Sequence, residues 1–447
     1  MNLEALLRDQ NTHWLNKNYL PPEAKWFHRQ TYYREILNGL PKNLIICLTG
    51  LRRVGKSTLL KQTIAHLLKN NPPENIFYFS FDQSLIKNEG KTLREILNLY
   101  AHSIHQKPLS QLTKNIYILL DEIQTIPYWQ DIVKTFHDTN PRLKFIVSGS
   151  SSLFISQKAA ESLAGRLKEI NIPVLSFKEY LKLNPKTAQE INKLGLKKYS
   201  RFFPDVLKTL FESYLAGGQF PQPIKETYSP KETKEYLATI EGKIIEIDLP
   251  RTFSIERPDI LRIIFNYFKH SSSSLLRYEN LTNDLGVDIR TTIKYIGWLQ
   301  KAFLISICYN HTKKLVKASR TSKKLYLSST NFAKNLEIGK TVETYIFNFL
   351  KNLGFSVEFF RFQNKEIDFI TTTEKGEKIP WEVKYQSRIT SKDEKNVIAF
   401  AGKNHSPYAF LITKNQRADK KIGKTKLMFI PACNIELIKK ALLEKLH

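Results

Sequence analysis

Between Lys42 and Pro173, short β-branched and aromatic runs alternate with amphipathic stretches. The segments "LIICLT", "NIFYFSF", "NIYILLD", "KFIVSGS" and "EINIPV" read as strands, and most of the segments between them carry a helical apolar period. Near-continuous apolar strands separated by helices predict an α/β unit, a parallel sheet with helices on both faces. From Leu175 to Leu249 the pattern turns mostly helical and basic, as in "KKYSRFF". A second helical block from Arg257 to Phe303 leads into two strands flanking a basic loop. The remainder opens on the amphipathic helix "ETYIFNFLKNLG" and returns to strands and helices. These changes of pattern divide the chain into residues 1–185, 186–255, 256–330 and 331–447.

Composition narrows the class. The 447 residues are 42% hydrophobic, a globular proportion, and no apolar run approaches the length of a membrane span. Cys47, Cys308 and Cys433 show no pairing pattern, and the N-terminus has no basic segment followed by an apolar one. Both features predict a cytoplasmic protein with reduced thiols and no membrane association. A net charge of +27 points to a polyanionic partner, with DNA the natural candidate and a solvated Lys-rich surface the alternative.

"GLRRVGKST", Gly50 to Thr58, fits the phosphate-loop pattern, follows an apolar strand and opens the helix "STLLKQTIAHLL". In such a loop Gly50, Arg52, Arg53, Val54, Gly55, Lys56, Ser57 and Thr58 wrap the phosphates of ATP. Backbone N–H groups face the anion, Lys56 supplies a point charge, and Ser57 ligates Mg²⁺. "NIYILLDEIQ" then ends a buried strand in Asp121, a second ligand for the magnesium, and Glu122, placed to polarise the attacking water. Ser148, at the end of "KFIVSGS", is a candidate γ-phosphate sensor or a plain turn residue.

Two further constellations follow. "RYENLTNDLGVDIRTTIKYIGWLQKAFLI" has the layout of a helix-turn-helix, with Gly286 ending the first helix and Asp288 capping the second. Ile293, Ile296 and Leu299 are expected in the core, leaving Arg290, Thr291, Thr292 and Lys294 to read DNA. The basic strand-loop-strand after it would grip phosphates through Lys313, Lys314, Lys317, Arg320, Lys323 and Lys324, as the wing of a winged helix. Near the C-terminus, "EIDFITTTEKGEKIPWEVKYQ" reads as a hairpin with Ile367, Phe369, Trp381 and Val383 turned inward. Asp368, Glu382 and Lys384 would share the outer face, since residues two apart on a strand point the same way.

The ordered blocks "LTGLRRVGKSTLLKQ", "ILLDEIQ", "FIVSGSSSLF", "LAGRLKEINIPVLSFKEYL" and "YLAGGQFP" resemble bacterial and archaeal AAA+-type ATPases that carry a nuclease-like C-terminal domain. The resemblance covers nearly the whole chain and implies a P-loop ATPase domain. A helical and winged-helix region and a restriction-endonuclease-like α/β domain would follow it. The "AGR" block makes Arg166 a candidate trans-acting or sensing arginine. Glu343, Asp368, thirteen intervening residues and Glu382-Val383-Lys384 resemble the PD-(D/E)XK nuclease core. That likeness implies a metal held by Glu343, Asp368 and Glu382, with Lys384 as a catalytic ammonium. Ile367 stands where that superfamily's proline would be. No second-region arginine or C-terminal sensor of ring-forming relatives is legible, and an oligomer is neither required nor excluded. The expected function is a Mg²⁺-dependent ATPase acting on DNA. The alternative is a nucleotide-gated regulatory protein with a protein partner and a non-catalytic C-terminal domain.

Overall fold

Four of the five apolar runs form β1 (Ile45–Thr49), β2 (Ile76–Ser80), β3 (Ile116–Asp121) and β4 (Leu143–Ser148) in a computed structural model of the chain, and the fifth strand, β5 (Leu167–Asn171), starts two residues before the expected run and ends before Ile172. The structure describes residues 3–16, 19–82, 92–149, 163–312, 322–363 and 365–446. These strands make one parallel sheet in the order β2-β3-β4-β1-β5. Every residue of β1 is buried, as expected of a strand covered on both faces. The flanking helices include Lys56–Leu67, which packs on β3 and β4, and Trp129–Thr139, which packs on β4. Leu93, Ile96 and Tyr100 of the helix Leu93–Tyr100 share a core with Phe77, Ile118, Phe145 and Trp129. The unit built on this sheet spans Met1–Pro173.

The second unit, Val174–His447, is helical at first and then organised on a mixed sheet. Its strands are β6 (Ile305–Asn310), β7 (Lys323–Leu327), β8 (Val357–Phe362), β9 (Lys365–Thr372), β10 (Lys378–Lys384), β11 (Tyr408–Thr413), β12 (Ala418–Ile422) and β13 (Thr425–Pro431). They lie in the order β12-β13-β11-β10-β9-β8-β6-β7. The boundary expected at residue 330 therefore falls inside a sheet, because β6 pairs in parallel with β8 through Tyr309↔Glu358 and Asn310↔Phe359. Val342, Ile346 and Leu350 of the helix Ile338–Asn352 pack into one core with Phe369, Trp381 and Phe410. Trp381 stacks on Phe410 with ring centroids 3.9 Å apart.

The hairpin β9–β10 forms as the alternation predicts, with Trp381 opposite Phe369. Its second face is not wet, however. Asp368 is 9% exposed and Glu382 5%, so the charged positions are enclosed as well as the apolar ones. The segment expected as a helix-turn-helix holds two helices, Tyr278–Leu285 and Ile289–Lys301. Gly286 has a φ of 62° and donates to Thr282 O, while Asp288 Oδ1 accepts from Arg290 N and Thr291 N. The second helix is rotated from the expected facing. Ile293 is 48% exposed and Thr292 is buried, because Tyr295, Ile296 and Leu299 complete the apolar stripe without Ile293.

Candidate functional site

The parallel order brings the C-terminal ends of β1, β3 and β4 together, which is where open α/β sheets place their ligands. Gly50 follows β1 with a φ of 138°, and a Cβ there would collide with the carbonyl oxygen of Ile172. Only glycine fits that turn. Gly55, at φ 102°, precedes the helix Lys56–Leu67, whose first N–H groups form an anion-binding end. Lys56 is buried and folds back, donating from Nζ to Gly50 O and Leu51 O, both at 3.0 Å. Arg29 supports the loop from behind. It is 4% exposed and donates from Nη1 to Val54 O at 3.1 Å and Pro173 O at 2.6 Å. Nothing in the sequence pattern marks Arg29, which lies twenty-five residues from its loop partner.

Asp121 ends β3 and is 3% exposed. Ser148 Oγ donates to its Oδ1, and Tyr78 OH donates to its Oδ2 at 3.3 Å. Strand pairing explains the meeting: Leu120 lies opposite Val147, and Ser80 opposite Asp121. Tyr78, like Arg29, is not legible as a site residue in the sequence, since an aromatic on a buried strand reads as core. Glu122 takes a left-handed φ of 54° just past the strand, and Gln124 Nε2 donates to its Oε2. Burial pushes the Glu122 carboxyl above the ordinary carboxylate range and Asp121 adds to this, while Lys56 and Arg52 pull the other way. Lys56, Asp121, Glu122 and Ser148 are thus brought into one place, with Arg52 close enough to act on Glu122. Arg53 is exposed at φ 67°, Val54 is buried, and Ser57 and Thr58 are half-buried at the start of the helix.

Arg166 does not join them. It immediately precedes β5, where its carbonyl accepts from Ile45 N, the first residue of β1. The phosphate loop follows the other end of β1, about 15 Å of strand away. Arg166 Nε instead donates to Asp138 Oδ1 at 2.7 Å on the surface. Arg166 thus lies at the opposite end of β1 from the phosphate loop of its own chain.

In the second unit, Glu343 lies on the helix Ile338–Asn352, Asp368 on β9, and Glu382 and Lys384 on β10. Lys384 Nζ pairs with Glu382 Oε1 at 2.7 Å, and Glu382 Oε2 accepts from the Asp368 backbone N–H at 3.3 Å. Burial, followed by the nearby Asp368 carboxylate, raises the pKa of both Glu343 and Glu382. These effects outweigh the attraction of Lys324 on one and Lys384 on the other. The expected metal set needs correction. Among the described residues, no group of three or more His, Cys, Asp or Glu side chains is placed to hold a metal ion. The donor set is already engaged by lysine: Lys324 Nζ lies 3.1 Å from Glu343 Oε1, 2.7 Å from Glu366 Oε1 and 3.6 Å from Asp368 Oδ1.

Lys324 is thereby corrected too. It is 4% exposed, so it is an internal cation and not a phosphate grip on the surface. The β-strand period explains the error, since neighbouring lysines on β7 must point to opposite faces. Lys323 is half-buried, with its ammonium over the Tyr278 and Tyr309 rings. Arg290 and Lys294 are exposed on the helix Ile289–Lys301. Lys313, Lys314, Lys317 and Arg320 lie outside the described residues.

Residues 42–181 match the family described as "AAA domain", and the fold of the first unit is accordingly of P-loop nucleotide-binding type. Residues 208–338 and 338–433 match two families described as domains of unknown function, DUF8612 and DUF4143. An uncharacterized protein of Haemophilus influenzae is 27% identical over 355 residues, 76% of this chain and 83% of the relative. Another, of Methanocaldococcus jannaschii, is 28% identical over 377 residues, 80% of this chain and 79% of the relative. Among solved structures, the chain is similar to replication initiator DnaA bound to AMPPCP and single-stranded DNA. The identity is 16%, the TM-score 0.33, and the match covers 63% of this chain and 93% of that one. Aeropyrum pernix ORC1 in complex with DNA gives 14% identity and a TM-score of 0.31, covering 71% of this chain and 93% of that one. Among the described residues, no helix is long and apolar enough to cross a membrane.

Proposed function

We propose that the protein binds ATP with Mg²⁺, hydrolyses it, and acts on DNA. The observation that carries the reading is the gathering of Lys56, Asp121, Glu122 and Ser148 at one edge of a parallel sheet, beside a glycine loop and a helix N-terminus. The loop N–H groups and Lys56 bind the phosphates. The Ser57 hydroxyl and Asp121 carboxylate are hard oxygen donors of the kind magnesium takes, and the bound ion would offset charge on the β- and γ-phosphates. Glu122 accepts a hydrogen bond from the attacking water, and its raised pKa brings it nearer the range of an efficient base. Ser148 and Tyr78 hold Asp121 in position. In the test, Lys56→Ala abolishes ATP binding, while Glu122→Gln keeps binding and loses turnover by on the order of a hundredfold or more. Wild-type turnover by Glu122→Gln would refute the assignment.

For DNA, Arg290, Lys294 and Lys323 are the candidate phosphate-binding side chains among the described residues. The order of helix Ile338–Asn352, strands β8 to β10, helix Ser391–Lys403 and parallel β11 supports kinship with nuclease-like DNA-binding folds. A second reading has one observation in its favour: Ile289 and Ile293 are 41% and 48% exposed on the same helix as Arg290 and Lys294. Exposed apolar residues there fit a nucleotide-gated protein with a protein partner. Reversing charge at Arg290 and Lys294 separates the two. If DNA is the partner, affinity falls, and the slope of log affinity against log salt flattens by about one for each phosphate the protein no longer neutralises. Unchanged DNA binding would favour the protein partner.

A further inference from the structure

Lys324 sits second on β7, its side chain 5% exposed, with its ammonium facing three carboxylates from two segments. Glu343 comes from the helix Ile338–Asn352, while Glu366 and Asp368 come from β9. Tyr326, two residues along β7, donates its hydroxyl at 2.7 Å to the same Glu343 oxygen that Lys324 touches. The oxygens of Asp368 and Glu382 are engaged as well. Asp368 Oδ2 accepts from Val383 N at 2.8 Å, Glu382 Oε1 pairs with Lys384, and Glu382 Oε2 accepts from Asp368 N. One oxygen of Glu343 and both oxygens of Asp368 and Glu382 are therefore met by protein donors, and the strongest of these is itself a cation.

A magnesium or manganese ion takes about six oxygens at close range and tolerates no ammonium among them. Conversely, an ammonium removed from water is sustained only by paired carboxylates and hydrogen bonds. Each side of the cluster accounts for the other. Lys324 is also unsuited to touch a substrate, being enclosed and committed to Glu343, Glu366 and Asp368.

We propose that Lys324 is the permanent counter-ion of this cluster and takes the place a divalent metal would hold, so that the C-terminal unit binds no catalytic metal and cleaves no phosphodiester. The inference stands apart from the ATPase reading, and its test silences the N-terminal site with Asp121→Asn in the full-length chain, without nucleotide. In that background, Mn²⁺ titrated by electron paramagnetic resonance finds no ion bound to the second unit, and Mn²⁺ leaves the melting temperature unchanged. Adding Lys324→Gln exposes the carboxylates. One Mn²⁺ per chain then binds with affinity raised by on the order of tenfold or more, stabilising the variant, and Asp368→Asn removes that binding. The proposal is overturned by one Mn²⁺ bound with Lys324 intact and released on Asp368→Asn, or by Mn²⁺-dependent DNA cleavage. A folded Lys324→Gln that takes up no Mn²⁺ overturns it equally. If Lys324→Gln does not fold, the titration of the chain retaining Lys324 still decides: silence supports the counter-ion and binding refutes it.

Discussion

Arg29 shows how much of a phosphate site lies outside its motif. Its guanidinium ties Val54 O in the loop to Pro173 O just beyond β5, and stacks over the Tyr32 ring with 4.8 Å to the centroid. Lysine keeps the charge but not the rigid fork or the stacking plane. Arg29→Lys is expected to loosen the loop and weaken ATP binding by roughly tenfold, about 1.4 kcal/mol, measured by titration calorimetry. The same variant should lose about 1–3 kcal/mol of stability, because the shorter, differently shaped ammonium gives up the stacking on Tyr32 and shifts the buried donor away from the two carbonyls. Unchanged affinity would make Arg29 a structural residue only. Tyr78 works on a finer scale, through one hydroxyl at 3.3 Å from Asp121.

At the level of elements, the helix Ile289–Lys301 provides a direct test of facing. Ile296 is 1% exposed and Ile293 48%. Ile296→Ser should destabilise the chain by about 2–4 kcal/mol in thermal or denaturant melts, and Ile293→Ser by under about 0.5 kcal/mol. Equal effects would mean that the helix sits as the sequence period first suggests. This element also shows what pattern reading can and cannot reach. The caps at Gly286 and Asp288 are legible, because capping is local chemistry. Facing is not, because Ile293 and Thr292 differ by one position, and only packing against Tyr295, Ile296 and Leu299 decides between them. The same contrast recurs in β9–β10. The hairpin and its cross-strand register follow from two-residue alternation, whereas burial of both faces depends on a helix and strands far away in sequence. The phosphate loop, Asp121 and Glu122 are readable because strand ends and loops keep their motifs contiguous. Arg29, Tyr78 and the internal role of Lys324 are not, since each acts across a gap that only the fold closes.

For the whole molecule, the enclosed acids predict an unusual pH response. Burial, the main cause, pushes the Glu343 and Glu382 carboxyls up to about 7 and about 8 in the folded chain, against an ordinary value of 4.5. Folding therefore takes up protons. The associated stability is fully present below pH 4.5 and is lost as pH rises through 7 and 8. Melting temperatures measured from about pH 5 to about pH 8.5 should fall with rising pH, and Glu382→Gln should flatten that fall. A flat wild-type profile would show the cluster to be fully charged throughout. The high net charge of +27 adds a background that the variant comparison removes.

The course of β7 bears on how such a chain can be inherited. Lys324 lies within residues 208–338, while Glu366 and Asp368, two of the carboxylates it meets, lie within residues 338–433, the spans of two separate families. The cation and two carboxylates of its cluster thus come from different sides of a family boundary, and β8 relies on β6 to cover its edge. A chimaera joining one segment to a foreign counterpart lacking that lysine inherits enclosed acids with no answering charge, and a bare strand edge wherever the join is imperfect. The two segments are therefore expected to fold and function as a pair, and a chimaera exchanging only one of them is expected to be less stable than either parent.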